Sequence, residues 1–101
     1  MSLPKYINIH THRIYPEQED LLSLTNKYEY FEQLNSGQLY SLGIHPWYIH
    51  EVEQQLAELS IEALKEQVIA IGECGLDKVK GADFALQQLV FKAQIAIANH
   101  L

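Results

Sequence analysis

Two histidines one residue apart close a short apolar run, Tyr6-Ile-Asn-Ile-His-Thr-His12. Tyr6 to Ile9 is rich in β-formers. Alternate side chains on a strand share a face, so His10 and His12 project together, with Cα atoms roughly 6.6 Å apart. Two imidazoles at that separation can converge on one cation, each about 2 Å from it. Thr11 points the other way. An isolated His-x-His is as readily a polar strand face as a ligand pair. Two further segments shift that balance: His45-Pro46-Trp47 follows the run Gln38 to Ile44, and Gly72-Glu-Cys-Gly-Leu-Asp77 follows Val68-Ile-Ala-Ile71. Three strand ends thus carry polar groups, and in parallel βα architectures the C-terminal strand ends hold ligands and metals.

The elements that must position these groups read as strand, loop or helix, and strand again. Tyr6–Ile9 is the first strand. Pro16 blocks a regular element after it, and the acidic stretch from Glu17 to Asp20 faces solvent. Leu21 to Thr25 reads as a second strand ended by Asn26 and Lys27, and Asn35-Ser-Gly37 is a turn signal. Gln38 to Ile44 reads as a buried strand, turned sharply by Pro46. Glu51 to Gln67 has helical spacing with Val52, Leu56, Leu59, Ala63 and Leu64 on one side, and Ser60 marks a break and restart. Val68–Ile71 is a continuous apolar run of the kind doubly covered parallel strands show. Asp83 is a good N-cap for a helix to the C-terminus, with Phe84, Val90, Phe91, Ile95, Ala98 and Leu101 as its apolar face.

At 101 residues the chain is at most one small domain, and 48% hydrophobic with 20% charged residues is ordinary globular composition. A net charge of −6 argues against charge-driven wrapping of nucleic acid. It leaves open a phosphate-bearing substrate held through metal ions, whose local charge outweighs that of the surrounding side chains. The single cysteine, Cys74, cannot form an internal disulfide, so the cytoplasm is the expected location. No apolar run reaches the roughly 20 residues of a membrane span, and no membrane partner is expected.

With these segments in hand, the chain resembles a TatD-family metal-dependent hydrolase (TatD-related DNase), of the amidohydrolase-like group. Ile9-His-Thr-His12 is similar to the family's opening His-x-His, Gly43-Ile-His-Pro46 to its Gly-Ile-His-Pro segment, and Ile71-Gly-Glu-Cys-Gly-Leu-Asp77 to its Gly-Glu-x-Gly-Leu-Asp signature. The helix carrying Gln87, Val90, Phe91, Gln94 and Ile95 is similar to the one that follows. The four segments occur in order and cover most of the chain. The resemblance implies an α/β fold, the N-terminal part of a (βα)8 TIM barrel with about four parallel strands and flanking helices. It also implies two divalent metal ions (Zn, Mg, Mn or Ni) held by His10, His12 and Glu73, with catalysis depending on Glu73. The physical reading agrees, since a carboxylate can bridge two cations about 3.5–4 Å apart that clamp a phosphodiester. Gly72 and Gly75 allow a tight backbone that leaves the Glu73 carboxylate exposed. The bland alternative for Glu73 is a surface carboxylate or a helix cap.

His45 is either a substrate or phosphate contact or a structural imidazole. Asp77 reads as a loop-bonding residue, Cys74 as buried packing, and His50 and His100 as surface residues. Trp47 and Tyr48 either pack or line the mouth and stack on a base. Three departures stand out: Asn8 replaces the family's usual Asp, Lys78 replaces an aromatic, and the short interval from His12 to His45 implies a reduced βα unit. A complete barrel takes about 200–250 residues. Residues 1–101 are therefore expected to be the N-terminal part of a single barrel domain, with the missing C-terminal half as a partner. The expected function is hydrolysis of phosphodiester bonds in DNA, or in a small phosphoester, by a metal-activated water. The alternatives are amide or ester hydrolysis by the same metals, or a non-catalytic half-barrel that binds metal or a partner.

Overall fold

The computed structural model describes residues 3–15 and 20–101. The turn at Pro16 and residues 17–19 of the acidic stretch lie outside the described residues, whereas Asp20 is exposed. Four strands, β1 (Tyr6–Thr11), β2 (Leu21–Lys27), β3 (Leu39–Leu42) and β4 (Val68–Ile71), form one sheet in the order β1-β2-β3-β4, every neighbouring pair parallel. A short 3-10 turn, Pro46–Tyr48, follows β3; helix α1 (Val52–Glu62) lies between β3 and β4, and helix α2 (Phe84–Asn99) follows β4. Four parallel strands with flanking helices are what the sequence leads one to expect. Among the described residues no helix joins β1 to β2 or β2 to β3, in keeping with the short interval from His12 to His45.

The core lies between the sheet and the two helices: Phe31, Tyr40, Leu42, Ile44, Leu59, Ala63, Val68 and Val90. Strand alternation explains which β3 residues enter it. Tyr40 and Leu42 face the helices, while Ser41 turns to the other side of the sheet, opposite Asn26 of β2. Each of the larger side chains among them (Phe31, Leu42, Ile44, Leu59, Val68 and Val90) removes enough area from water to stabilise the fold by about 1.5–3 kcal/mol.

β1 runs two residues past the expected Ile9, to Thr11, and β3 covers only Leu39–Leu42 of the expected Gln38 to Ile44. Three other elements differ further from the sequence expectation. β2 does not end at Thr25 but continues through Asn26 and Lys27, because the Asn26 amide finds partners inside the sheet. α1 neither breaks at Ser60 nor reaches Gln67. The Ser60 hydroxyl donates to the Leu56 carbonyl at 2.8 Å, one turn back, without interrupting the helix. The helix ends at Glu62, and tight turns through Leu64 and Lys65 deliver the chain to β4, which leaves Leu64 74% exposed.

α2 begins where expected, with the Asp83 carboxylate accepting from the Leu86 N–H. Its buried face is not the expected one. Val90 is buried, but Ile95, Ala98 and Leu101 are exposed, and the inward stripe is Leu86, Gln87, Val90, Gln94 and Ile97. The helix is apolar nearly all round, so hydrophobicity could not choose its face. Two amides chose it instead. Gln94, fully buried, accepts from the Ile44 N–H at 2.7 Å and donates to the Ile44 carbonyl at 3.2 Å, satisfying both backbone groups just past the end of β3.

Gln94→Leu, close in volume, should therefore cost about 1–3 kcal/mol for each of the two backbone groups it orphans. Urea unfolding should show a lower midpoint with an unchanged slope; a loss below about 1 kcal/mol would show that the Ile44 pairing contributes little.

Candidate metal centre

The three strand ends flagged by the sequence meet at one point. His10 sits in β1, His12 just beyond it, His45 after β3 and Glu73 after β4. His10 Nε2 lies 3.2 Å from Glu73 Oε1, His12 Nε2 lies 3.7 Å from the same oxygen, and His45 Nε2 lies 3.4 Å from Glu73 Oε2. The two imidazoles of the His-x-His pair stand edge to face, 4.9 Å between centroids. One ligand atom each from His10, His12 and Glu73 falls within 4.8 Å of the others, a set that can hold a metal ion. Two imidazole nitrogens and a carboxylate oxygen suit Zn, Mn or Ni, and also accept harder ions through the carboxylate.

Local chemistry explains the placement. The β1–β2 register shifts between Asn8 and Thr11, and at that irregularity the Asn8 side-chain oxygen accepts from the His10 N–H at 3.2 Å. Asn8 thus ties the backbone that carries His10. Thr11 accepts from the Arg13 N–H, and Thr25 donates to the Arg13 carbonyl, which fixes the turn after His12. His45 is oriented by its own turn. Its Nδ1 accepts from the Trp47 N–H at 3.1 Å, so the neutral ring carries its proton on Nε2, facing Glu73. At 14% side-chain exposure it is the most enclosed of the three histidines.

Glu73 is held by residues to which the sequence reading gave no part in placing it. A Cβ on Gly43 would stand 2.6 Å from the Glu73 carbonyl oxygen and 2.5 Å from the Gly72 carbonyl carbon, so only glycine lets the end of β3 approach this close. At Gly72 and Gly75, where the sequence suggested the tight backbone, a Cβ would meet nothing within 4 Å. The crowding sits on the neighbouring strand. Asn26, 3% exposed, donates to Ser41 Oγ at 3.0 Å and to the Gly72 carbonyl, so β2 also grips the peptide leading into Glu73. Gln87 of α2, buried like Gln94, accepts from the Asp77 N–H and donates to the carbonyls of Asp77 and Ala82, closing the loop that follows. A sequence signal for these glutamines existed: Gln87 and Gln94 lie seven residues apart, and so on one face of the helix, in line with Val90.

The remaining flagged residues fall as follows. Asp77 accepts from Trp47 Nε1 at 2.7 Å and from the Val79 and Lys80 N–H groups. The Trp47 bond above all holds its carboxyl below the ordinary Asp range. Cys74 is half-buried; burial, helped by the Glu73 charge, pushes its thiol up and keeps it protonated, a poor nucleophile. His50 and His100 are exposed, and neither belongs to the group of donors that meets Glu73. Tyr28 and Tyr48 stack at 4.6 Å beside it, Tyr28 lying 6.1 Å from His12 and 6.3 Å from His45.

A family model described as TatD related DNase matches residues 5–101. The chain belongs to the TatD related DNase family. A segment of 62 residues is also 42% identical to an "Uncharacterized metal-dependent hydrolase" of Buchnera aphidicola subsp. Baizongia pistaciae (strain Bp), covering 60% of this chain and 23% of that relative. The chain thus spans well under two thirds of the length of this curated relative. No solved structure matches it significantly.

Two outcomes test this geometry. Gly43→Ala should displace the Glu73 peptide, lowering divalent-metal affinity by calorimetry and costing about 1–3 kcal/mol of stability from overpacking, with helical circular dichroism retained. Asp77, whose carboxyl is depressed, contributes stability that is present above the ordinary Asp pKa and lost as pH falls through its lower folded value. Fluorescence of Trp47, the single tryptophan, should therefore change in acid below about pH 4, and Asp77→Asn should abolish that step.

Proposed function

We propose that the protein is a metal-dependent phosphodiesterase acting on DNA, of the kind the family description names. The observation that carries this reading is the convergence of His10, His12 and Glu73 donors at the C-terminal ends of parallel strands. In the proposed roles these three residues would hold the divalent metal, two ions in all. When bound, such ions supply positive charge at the scissile phosphate and lower the pKa of water. The chain's own residues fix the rest. Glu73 is placed by Gly43 and Asn26, and His45 presents its Nε2–H beside Glu73, where it would donate to a phosphate oxygen. Hydrolysis adds the water oxygen to phosphorus, breaks one P–O ester bond, and leaves a phosphomonoester and an alcohol that takes up the proton.

The sheet also supports the proposal that this chain is the N-terminal part of one barrel domain, whose partner is a C-terminal half with further parallel strands. Parallel sheets are normally covered on both faces. Here β1 and β4 are free edges among the described residues, with Tyr6 66%, Ile7 61%, Ile9 70% and Ile69 53% exposed. No described helix is long and apolar enough to cross a membrane. The free Cys74 suits a reducing compartment, and we place the protein in the cytoplasm.

Glu73→Gln tests the reading, because the amide keeps the size but loses the charge that would hold the cations. Metal stoichiometry should fall, and DNA hydrolysis should drop by at least a hundredfold with circular dichroism unchanged. Unaltered stoichiometry and rate would remove Glu73 from the site. Hydrolysis of amides or carboxylic esters but not DNA would reassign the substrate, and metal binding without turnover in the presence of a C-terminal half would reduce the protein to a binding module. DNA affinity should also depend on divalent metal and only weakly on salt; a steep salt dependence unaffected by chelator would reveal a cationic footprint instead.

A further inference from the structure

A cavity of about 260 Å³ opens beside Glu73, lined by His45, Trp47, Glu73, Cys74 and Asp77 among others. This is below the roughly 300–1,000 Å³ of pockets for drug-sized ligands, and suits one flat ring system. We propose that it is a nucleobase subsite, in which Trp47 stacks on the base next to the scissile phosphate and Lys80 pairs with a flanking phosphate. The proposal rests on the phosphodiesterase reading above and names a specificity-determining residue within it.

Four observations carry it. Trp47 is 41% exposed and lies outside the buried core, so its ring is not held by apolar packing. It is nevertheless fixed, because its Nε1–H donates to Asp77 at 2.7 Å, and Asp77 is in turn anchored by backbone N–H groups and by Gln87. An aromatic surface held rigid in the open is what stacking on a ligand requires, since little side-chain freedom is left to lose. Tyr28 and Tyr48 stack on each other, whereas Trp47 meets its aromatic neighbours His45 and Tyr48 only edge to face, leaving its ring unstacked on any other. Lys80 Nζ lies over one face of the Trp47 ring, 4.0 Å from its centroid, so that face already carries a cation and the opposite face is the one a base would take, in a chain of net charge −6. Every base has a π-face, so such a platform is tolerant of sequence while requiring a base.

Because Trp47 is the single tryptophan, its fluorescence reports the subsite directly. The protein, with Mg²⁺ present, is titrated with a hydrolysis-resistant phosphorothioate dinucleotide and with the same backbone carrying abasic residues. Base-bearing probe should quench Trp47 and bind about ten- to hundredfold more tightly than the abasic probe, the range one base–aromatic stack supplies. Lys80→Gln should weaken binding and flatten its salt dependence. In turnover, Trp47→Leu should raise KM on base-bearing DNA with kcat largely kept, and Trp47→Phe should restore most of the loss by retaining a ring. Equal quenching by both probes, or none, would overturn the proposal. So would a Trp47→Leu that lowers kcat equally on base-bearing and abasic DNA, since that marks a purely structural tie to Asp77. Binding is read without turnover, so base-dependent quenching without hydrolysis would sink the phosphodiesterase reading and spare the subsite. Hydrolysis indifferent to the base would do the reverse.

Discussion

The close approach of β3 to the peptide between Gly72 and Glu73 governs the site. Two parallel strands normally keep their backbones about 4.8 Å apart. Just past their ends the chain draws closer, and Gly43 makes room by having no side chain. Asn26 closes the arrangement from the next strand with a bond to the Gly72 carbonyl. Were that peptide to move, Glu73 would leave His10, His12 and His45 together, because all three contacts end on its two oxygens. The carboxylate is thus placed by backbone contacts, and the histidines meet it from strands whose own registers are set elsewhere.

α2 makes the same site depend on a distant element. Gln94 holds the residue before His45, and Gln87 holds the loop after Glu73. Both amides are buried without charge and both bond main-chain groups, those of Ile44 being fully buried. The helix therefore contributes more than apolar cover. Gln87 and Gln94 define where two chemically active loops sit, at a small cost in apolar burial.

Much of this was legible in the sequence, and the reasons are specific. Val68–Ile71 announced itself as a strand because a four-residue apolar run ending in glycine has few other readings. Asp83 announced a helix start through the chemistry of its carboxylate, and His10 and His12 shared a face because strands alternate. The end of α1 was not legible, since Ala63 and Leu64 prolong the helical pattern while the chain turns to reach β4. The buried face of α2 was hidden because an almost uniformly apolar helix offers no contrast. Gly43 could be quoted as part of a motif, but its purpose lay in a strand more than twenty-five residues away in the chain. Asn26 looked like a strand terminator because asparagine usually bonds its own backbone; here it reached across the sheet.

The irregular pairing of β1 between Asn8 and Thr11 has a consequence for how such a site can change over generations. Side chains on a strand have a parity, and both histidines need the same one. A single-residue insertion or deletion between Tyr6 and His10 would reverse that parity and turn both imidazoles out of the cluster at once. A local bulge can absorb one extra residue and restore the original sense. The Asn8 bond to the His10 backbone lies at just such a place. Length variation in this strand is thus partly decoupled from the direction in which its ligands point.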